Sequence, residues 1–182
     1  MCLGILAVTK DGTDQTGQPT SETPTMWCLL DRVAGLERRA AALYERFARI
    51  FAESPLVAAF WREVASEERL HGLVVAAARE VFPATAPPPA GEWAAQLATV
   101  EGLLSSIESK TAGGVRLEDA FADAEILEAS ELNAVTALII EHAGAGFSRL
   151  GAVVGRSGVD QHHDKMVEAR QRFCAAVRPP QG

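Results

Sequence analysis

Three long segments of the chain carry apolar residues at helical spacing, and polar side chains interrupt each apolar stripe. In the first segment, Glu37 lies within the stripe, seven residues before Tyr44. In the second, His71 lies near the centre of the stripe, with Glu67 and Glu68 on either side of it. A charged side chain that faces a core is costly unless something pairs with it. A fold for this chain must therefore bring these groups to a shared partner.

The third segment repeats this pattern. Glu128 and Glu131 lie inside an apolar stripe that runs from Leu117 to Ile139. Alanine is abundant, runs of β-branched residues are few, and glycine and proline cluster between the segments. Together these features predict an all-α chain.

Capping and turn residues divide the chain into helices. Four long helices and one short helix are predicted, over about 24–53, 55–82, 117–142, 147–177 and 92–109. Thr23 and Ser54 are predicted N-caps, because a proline follows each of them in the first turn. The last helix is interrupted by Gly151, Gly155 and Gly158, which disfavour a helix interior.

The helix lengths and the linkers predict one domain. The chain has 182 residues, of which 48% are hydrophobic, and this is enough for a single sizeable core. We predict a flexible N-terminal arm over 1–23, a bundle over 24–178 and a tail over 179–182. Two antiparallel helical hairpins are joined by the residues from 83 to 115, which include the short helix. Such a crossover allows a four-helix bundle whose second and third long helices run parallel.

Charge, cysteine content and hydropathy argue against several classes of protein. The net charge of −7 and the pI near 5.1 indicate no basic face for nucleic acid. Cys2, Cys28 and Cys174 form no CxxC pair, which argues against a disulfide framework, a zinc ribbon and a rubredoxin-type iron site. No apolar run approaches the roughly 20 residues of a membrane span, and the apolar opening lacks the basic start of a signal peptide. We therefore expect a cytoplasmic protein that binds neither nucleic acid nor membrane.

In the first predicted hairpin the polar groups lie at mid-height. Glu37 is 16 residues before Glu53 at the turn, and Glu68 and His71 are 14 and 17 residues after Ser54. Positions at these distances from a turn face each other in an antiparallel pair. Glu68 and His71 also project to the same side of their helix, because they are three residues apart.

The second predicted hairpin has the same arrangement. Glu128 and Glu131 lie 17 and 14 residues before Ala145, and Asp160 and His163 lie 15 and 18 residues after it. Each hairpin thus supplies a carboxylate from its first helix and an i, i+3 carboxylate–histidine pair from its second. Such oxygen-rich sets without thiolates suit iron or manganese and argue against structural zinc. Two sets that face each other can hold two cations roughly 3.5–4 Å apart.

At these positions the chain resembles the ferritin-like superfamily and, within it, the rubrerythrin family. The resemblance covers about residues 28–175 and is carried by LERRAAALY (36–44), EERLH (67–71), EASE (128–131) and DQHH (160–163). The di-iron bundles of this superfamily carry a Glu on one helix of each pair and a Glu-x-x-His on the other. The spacing from Glu37 to Tyr44 is similar to the first helix of rubrerythrins. The Glu-x-x-Glu pair of residues 128 and 131 is similar to their third helix.

The resemblance implies a ligand set and a chemistry. The ligands of two iron ions, or of manganese in their place, would be Glu37, Glu68, His71, Glu128, Glu131, Asp160 and His163. Tyr44 would be a hydrogen-bond donor beside them. The implied activity is oxidoreduction, with peroxide or dioxygen as substrate, as peroxide reduction or ferroxidase chemistry. The rubredoxin domain of rubrerythrins does not occur in this sequence, so an external electron donor is expected, and by analogy a homodimer.

Two ligand positions have a competing neighbour. Glu67 competes with Glu68, and helical phase does not separate them, whereas the spacing of the family favours Glu68. His162 competes with His163 in the second hairpin. Both choices remain open at the level of the sequence.

Two of the carboxylates have other interpretations. Glu37 could pair with Arg156 or Arg170 as a buried ion pair. Asp160 stands where the family has glutamate, and it also ends a capping box that begins at Ser157. The alternative function is therefore a non-catalytic ferritin-like bundle with a partial or lost site, acting as a scaffold or metal-binding protein.

Overall fold

The computed structural model describes residues 25–88, 93–130 and 162–175. Within these ranges most residues are helical and none lies in a β-strand, so the predicted all-α class is confirmed for them. Five α-helices occur there, namely α1 (Met26–Ile50), α2 (Pro55–Ala77), α3 (Trp93–Lys110), α4 (Leu117–Glu128) and α5 (His162–Ala175). None of these helices combines the length and the hydropathy that a membrane span requires.

The first helix begins two residues after the predicted position. Thr25 is the N-cap of α1, and its side-chain oxygen accepts a hydrogen bond from the backbone N–H of Cys28 at 3.4 Å. The prediction of Thr23 as the cap is therefore wrong. A threonine at this position stabilises the helix because it satisfies one of the N–H groups that a first turn leaves unpaired.

The second helix begins at Pro55, as predicted, but without the predicted cap. The Ser54 side chain makes no capping hydrogen bond within the described chain. Proline alone suits this position, because the N–H that it lacks would have had no intrahelical partner. The α-helix ends at Ala77, and a 3-10 turn over Ala78–Glu80 continues it.

Helices α1 and α2 form an antiparallel hairpin whose apolar faces supply much of the core. Near the turn, Tyr44 stacks on Trp61 with ring centroids 5.7 Å apart. At the open end, the indole N–H of Trp27 donates to the carbonyl of Phe82 at 2.8 Å. These contacts join α1 to α2 near the turn, and to the segment that follows α2 at the open end.

Helix α3 runs alongside α1 in the same direction. Arg32 pairs with Glu101 at 3.1 Å, and Arg39 pairs with Glu108 at 2.8 Å, about two helical turns further along both helices. The α3 side that is turned inward is apolar, with buried Trp93, Leu97, Val100, Leu104 and Ile107. These ion pairs are about one-third exposed, so they contribute little to stability and mainly fix the register of the two helices.

The turn between α3 and α4 depends on a glycine. Gly114 has a φ of 98°, in the left-handed region that side chains with a Cβ rarely adopt. The sequence TAGG (111–114) is predicted to end the short helix, and the structure confirms that a turn separates α3 from α4 here.

Helix α5 packs antiparallel to both α4 and α2. Phe173 stacks on Phe121 of α4 at one end, whereas His162 approaches Glu128 of α4 at the other. Phe173 also contacts Phe60 of α2, with ring centroids 6.0 Å apart. Because α5 opposes both of them, α2 and α4 run in the same direction.

Candidate metal centre

Five buried polar side chains from four helices meet in the interior. This carboxylate–histidine cluster consists of Glu37 from α1, Glu68 and His71 from α2, Glu128 from α4 and His162 from α5. None of the five residues is more than 7% exposed. Helical periodicity places them inside, because each lies in phase with apolar neighbours of its own helix that form the core.

The imidazole of His162 joins the two halves of the cluster. Its Nδ1 lies 3.0 Å from Oε1 of Glu68 and 3.3 Å from Oε2 of Glu128. On α2, Nδ1 of His71 lies 3.4 Å from the other oxygen of Glu68, and the two imidazole rings stack with centroids 5.0 Å apart. Glu68, His71 and His162 can each offer one ligand atom within 4.8 Å of the others.

These short distances are not matched by a full set of hydrogen bonds. Both rings are buried, yet within the described chain neither ring nitrogen of His162 meets its neighbouring carboxylates in good hydrogen-bond geometry, and Nε2 of His71 has no hydrogen-bond partner. Buried polar atoms in native proteins are ordinarily bonded, and each exception requires an explanation. Carboxylate oxygens and imidazole nitrogens that lie this close together without well-formed hydrogen bonds are explained if they are the ligands of a cation.

Glu37 and Tyr44 complete the α1 side of the cluster. Glu37 is fully buried, and its charge acts on both His71 and Tyr44. The hydroxyl of Tyr44 donates a hydrogen bond to Oε1 of Glu128. Burial, followed by the charge of Glu128, raises the pKa of Tyr44 well above its ordinary value, so that the phenol keeps its proton and acts as a donor.

Burial and neighbouring charges shift the pKa values in the cluster, and they shift those of the two imidazoles in opposite directions. Burial, and then the charge of Glu128, raise the pKa of Glu68. Burial lowers the pKa of His71. Burial would also lower the pKa of His162, but the carboxylates of Glu128, Glu67 and Glu68 outweigh it and raise this pKa to about 12. In the metal-free protein, His162 therefore supplies a positive charge among several carboxylates.

The structure separates the two competing glutamates of α2. Glu68 points into the cluster, with a side chain 3% exposed. Glu67 lies at its edge, where it contacts Nε2 of His162 at 3.3 Å and binds Lys165. Of the other predicted ligands, Glu131 and Asp160 lie outside the described residues.

The histidine of α5 in the cluster is His162, and the prediction of His163 requires correction. His162 is 1% exposed, whereas His163 is on the solvent side of the helix. The reason is helical phase, because His162 lies four and seven residues before Met166 and Ala169, which are both buried. The residue three before His162 is Val159, so the predicted i, i+3 pairing of a carboxylate with this histidine does not apply to it.

The predicted alternative partners of Glu37 are only partly described. Arg170 pairs with Glu125 at 3.0 Å and with Glu118 at 3.6 Å. Arg156 lies outside the described residues.

Lys165 binds Glu67, and the sequence did not indicate this contact because 98 residues separate the two side chains.

Gly72 allows α1 and α2 to approach closely at the level of the cluster. A Cβ at this position would lie 3.2 Å from Cβ of Glu37 and 3.5 Å from the carbonyl oxygen of Ala34. We expect Gly72→Ala to lower the free energy of unfolding by about 1–3 kcal/mol, because α1 must move to admit the methyl group. Urea denaturation followed by circular dichroism measures this change.

Gly102 of α3 provides the matched control. A Cβ there meets no described atom within 4 Å, and the residue is exposed. Gly102→Ala is expected to raise the free energy of unfolding by about 0.4–1 kcal/mol, because alanine restricts the unfolded chain and fits a helix. Equal effects of the two substitutions would show that the helices are not closely packed at Gly72.

Comparison of the chain with protein-family models, with curated proteins and with solved structures finds no match.

Proposed function

We propose that the chain is a ferritin-like protein that binds iron in the carboxylate–histidine cluster and acts as a rubrerythrin-like oxidoreductase. The observation that carries the proposal is the convergence of three buried carboxylates and two buried imidazoles from four helices. So much buried charge is costly without a cation to neutralise it. The proposed reaction is peroxide reduction, or ferroxidase chemistry with dioxygen, with electrons from an external donor.

The helix directions support the ferritin-like part of the proposal. Helices α1 and α2 oppose each other, α5 opposes both α2 and α4, and α2 and α4 share one direction. This is the order of a four-helix bundle with one long crossover between its second and third helices. The segment between α2 and α4, which includes α3, would be that crossover.

The donor set fits iron or manganese. It consists of carboxylate oxygens and imidazole nitrogens, and such mixed sets suit these metals. Glu68, His71 and His162 would bind a cation directly, since their donor atoms already lie within 4.8 Å of one another. Glu37 and Glu128 would supply further carboxylate ligands and the negative charge that offsets the cation.

The residues around the cluster would control protons and water. When bound, iron would supply the one-electron redox chemistry that the proposed reactions need. The Tyr44 hydroxyl keeps its proton and donates a hydrogen bond to Oε1 of Glu128, which fixes the orientation of that carboxylate. His162 would have to lose its proton at Nδ1 to act as a ligand, because a protonated ring nitrogen cannot bind a cation. Trp61 and Phe121 are fully buried with ring centroids 4.7 Å apart, and they would exclude bulk water from that side of the cluster.

One observation favours the alternative of a non-catalytic metal-binding bundle. The histidine of α5 is His162, and the residue three before it is Val159 rather than a carboxylate. The second half of the cluster therefore lacks the Glu-x-x-His pair that the superfamily uses. A site with one intact half would hold one cation and would not support two-metal chemistry.

Metal analysis of the purified protein tests the proposal. After anaerobic loading with Fe(II) and removal of excess metal, we expect about two iron ions per chain, as in di-iron bundles of this class. Peroxide added to the loaded protein should be consumed faster than by the same amount of free iron.

The ratio of metal to protein separates the outcomes. One ion per chain and no peroxide consumption would favour the non-catalytic alternative. No retained ion with Fe(II), Mn(II) or Co(II), in a protein that circular dichroism shows to be folded, would contradict the proposal.

A further inference from the structure

Glu67 and Lys165 form a polar contact between the cluster and the surface. Oε2 of Glu67 lies 3.3 Å from Nε2 of His162. On its other side, Lys165 donates to both carboxylate oxygens of Glu67, at 2.8 Å each. Lys165 also donates to Glu63 at 2.9 Å, and Glu63 is largely exposed.

The two nitrogens of His162 face different carboxylates. Nδ1 is turned toward Glu68 and Glu128 inside the cluster, whereas Nε2 is turned toward Glu67 at its edge. His162 is 1% exposed, and the described chain gives its ring nitrogens no bond of good geometry. In this orientation Nδ1 is placed to bind a cation, and Nε2 is placed to donate its proton outward.

The contact with Lys165 makes Glu67 a poor metal ligand and a good acceptor. Both of its oxygens already accept from the ammonium group, which neutralises its charge. The side chain is 23% exposed, in contrast to the 3% of Glu68. Histidines that bind metals usually donate their second ring N–H to such an outer carboxylate, which fixes the ring and raises its basicity.

We infer that Glu67, held by Lys165, is a positioning residue that orients His162 so that Nδ1 faces the metal and Nε2–H faces Glu67. The inference rests on the proposed metal binding by the cluster. It assigns the two adjacent glutamates of α2 different roles, since Glu68 binds the metal and Glu67 binds the histidine.

Binding of Co(II), measured by its visible absorption, tests the inference with three variants. Glu67→Ala is expected to weaken Co(II) binding by about 10- to 100-fold, as is typical when an outer partner of a histidine ligand is lost. Glu67→Gln keeps an oxygen that can accept from Nε2, and its affinity is expected to lie between those of wild type and Glu67→Ala. The control is Glu63→Ala, which removes the other carboxylate on Lys165 and is expected to leave the affinity unchanged.

A spectroscopic signature of His162 adds a second measurement. In the Zn(II)-loaded wild type, nitrogen-15 NMR should show a slowly exchanging proton on Nε2 and none on Nδ1. This proton should exchange rapidly with water in Glu67→Ala and remain protected in Glu63→Ala. A general loosening of the helices would affect many amides, whereas loss of the Glu67 contact affects this ring alone.

The outcomes separate the inference from the proposed function. Tight Co(II) binding by wild type and equally tight binding by Glu67→Ala would overturn the inference alone. A loss in Glu67→Gln as large as in Glu67→Ala would overturn it as well, because Glu67 would then be a ligand. A folded wild type that takes up none of Fe(II), Mn(II), Co(II) and Zn(II) would overturn the proposed function, and the inference with it.

Discussion

Replacement of His71 by alanine is expected to weaken Co(II) or Fe(II) binding by more than about 100-fold, because loss of even an outer partner costs about 10- to 100-fold. His71 is fully buried, and its ring stacks on that of His162 within the cluster. Burial lowers its pKa, so the imidazole is neutral and ready to bind a cation. Titration of the folded variant with Co(II) measures the loss.

Thermal unfolding gives a second measure of the same prediction. A metal that binds only the folded wild type stabilises it by about 2.7 kcal/mol at a free concentration 100 times the dissociation constant. For a domain of this length, that corresponds to an increase in Tm of roughly 5–10 °C. His71→Ala should lose this increase, because the affinity of the variant would be too low at the same metal concentration.

His163→Ala is the matched control for His71→Ala. His163 is the exposed neighbour of His162 and lies on the solvent side of α5. Its removal deletes the same chemical group without touching the cluster, so both the affinity and the metal-dependent Tm should equal those of wild type. If His163→Ala abolished binding and His71→Ala did not, the cluster would not be the site.

The hairpin of α1 and α2 could be predicted because its signals are local. The apolar stripe of each helix lies within that helix. Glu53, Ser54 and Pro55 lie at the turn that they predict. The same periodicity predicts that Glu37, Glu68 and His71 face the interior, because apolar residues lie on the same helix face before and after each of them. These three residues are buried in the structure.

The assignment of His163 failed because it relied on a count from a distant turn. An error of one residue in such a count rotates a side chain by about 100° around the helix, since a helix has 3.6 residues per turn. The buried Met166 and Ala169 are on the same helix as the histidines and give the phase without this error. Because His162 lies four and seven residues before these two buried residues, it shares their helix face, and this local spacing selects His162 over His163.

The roles of Glu67 and Lys165 could not be found in the sequence. Glu67 and Glu68 are adjacent and chemically identical, so composition and spacing treat them alike. What separates them is a contact between α2 and α5 across 98 residues of sequence. Such long-range pairing depends on the packing of whole helices, and no local pattern of residues encodes it.

Replacement of Trp61 by alanine is expected to lower the free energy of unfolding by about 3–5 kcal/mol, the usual cost of removing a large buried aromatic side chain. Trp61 is fully buried on α2, and its ring contacts Phe47 of α1 and Phe121 of α4, with centroids 4.9 and 4.7 Å away. One side chain thus joins three helices below the cluster. Urea denaturation followed by circular dichroism measures the loss.

Two further substitutions show what Trp61 contributes. Trp61→Phe is expected to lose less than half as much stability, because it keeps a ring and removes a buried indole N–H that has no hydrogen-bond partner in the described chain. Leu73→Ala, at an exposed position of the same helix, should change stability by less than about 0.5 kcal/mol. Equal losses in Trp61→Ala and Leu73→Ala would contradict the packing of Trp61 between the three helices. Tyr44 stacks on Trp61 and donates to Glu128, so Trp61→Ala should also weaken metal binding, whereas Trp61→Phe should preserve it.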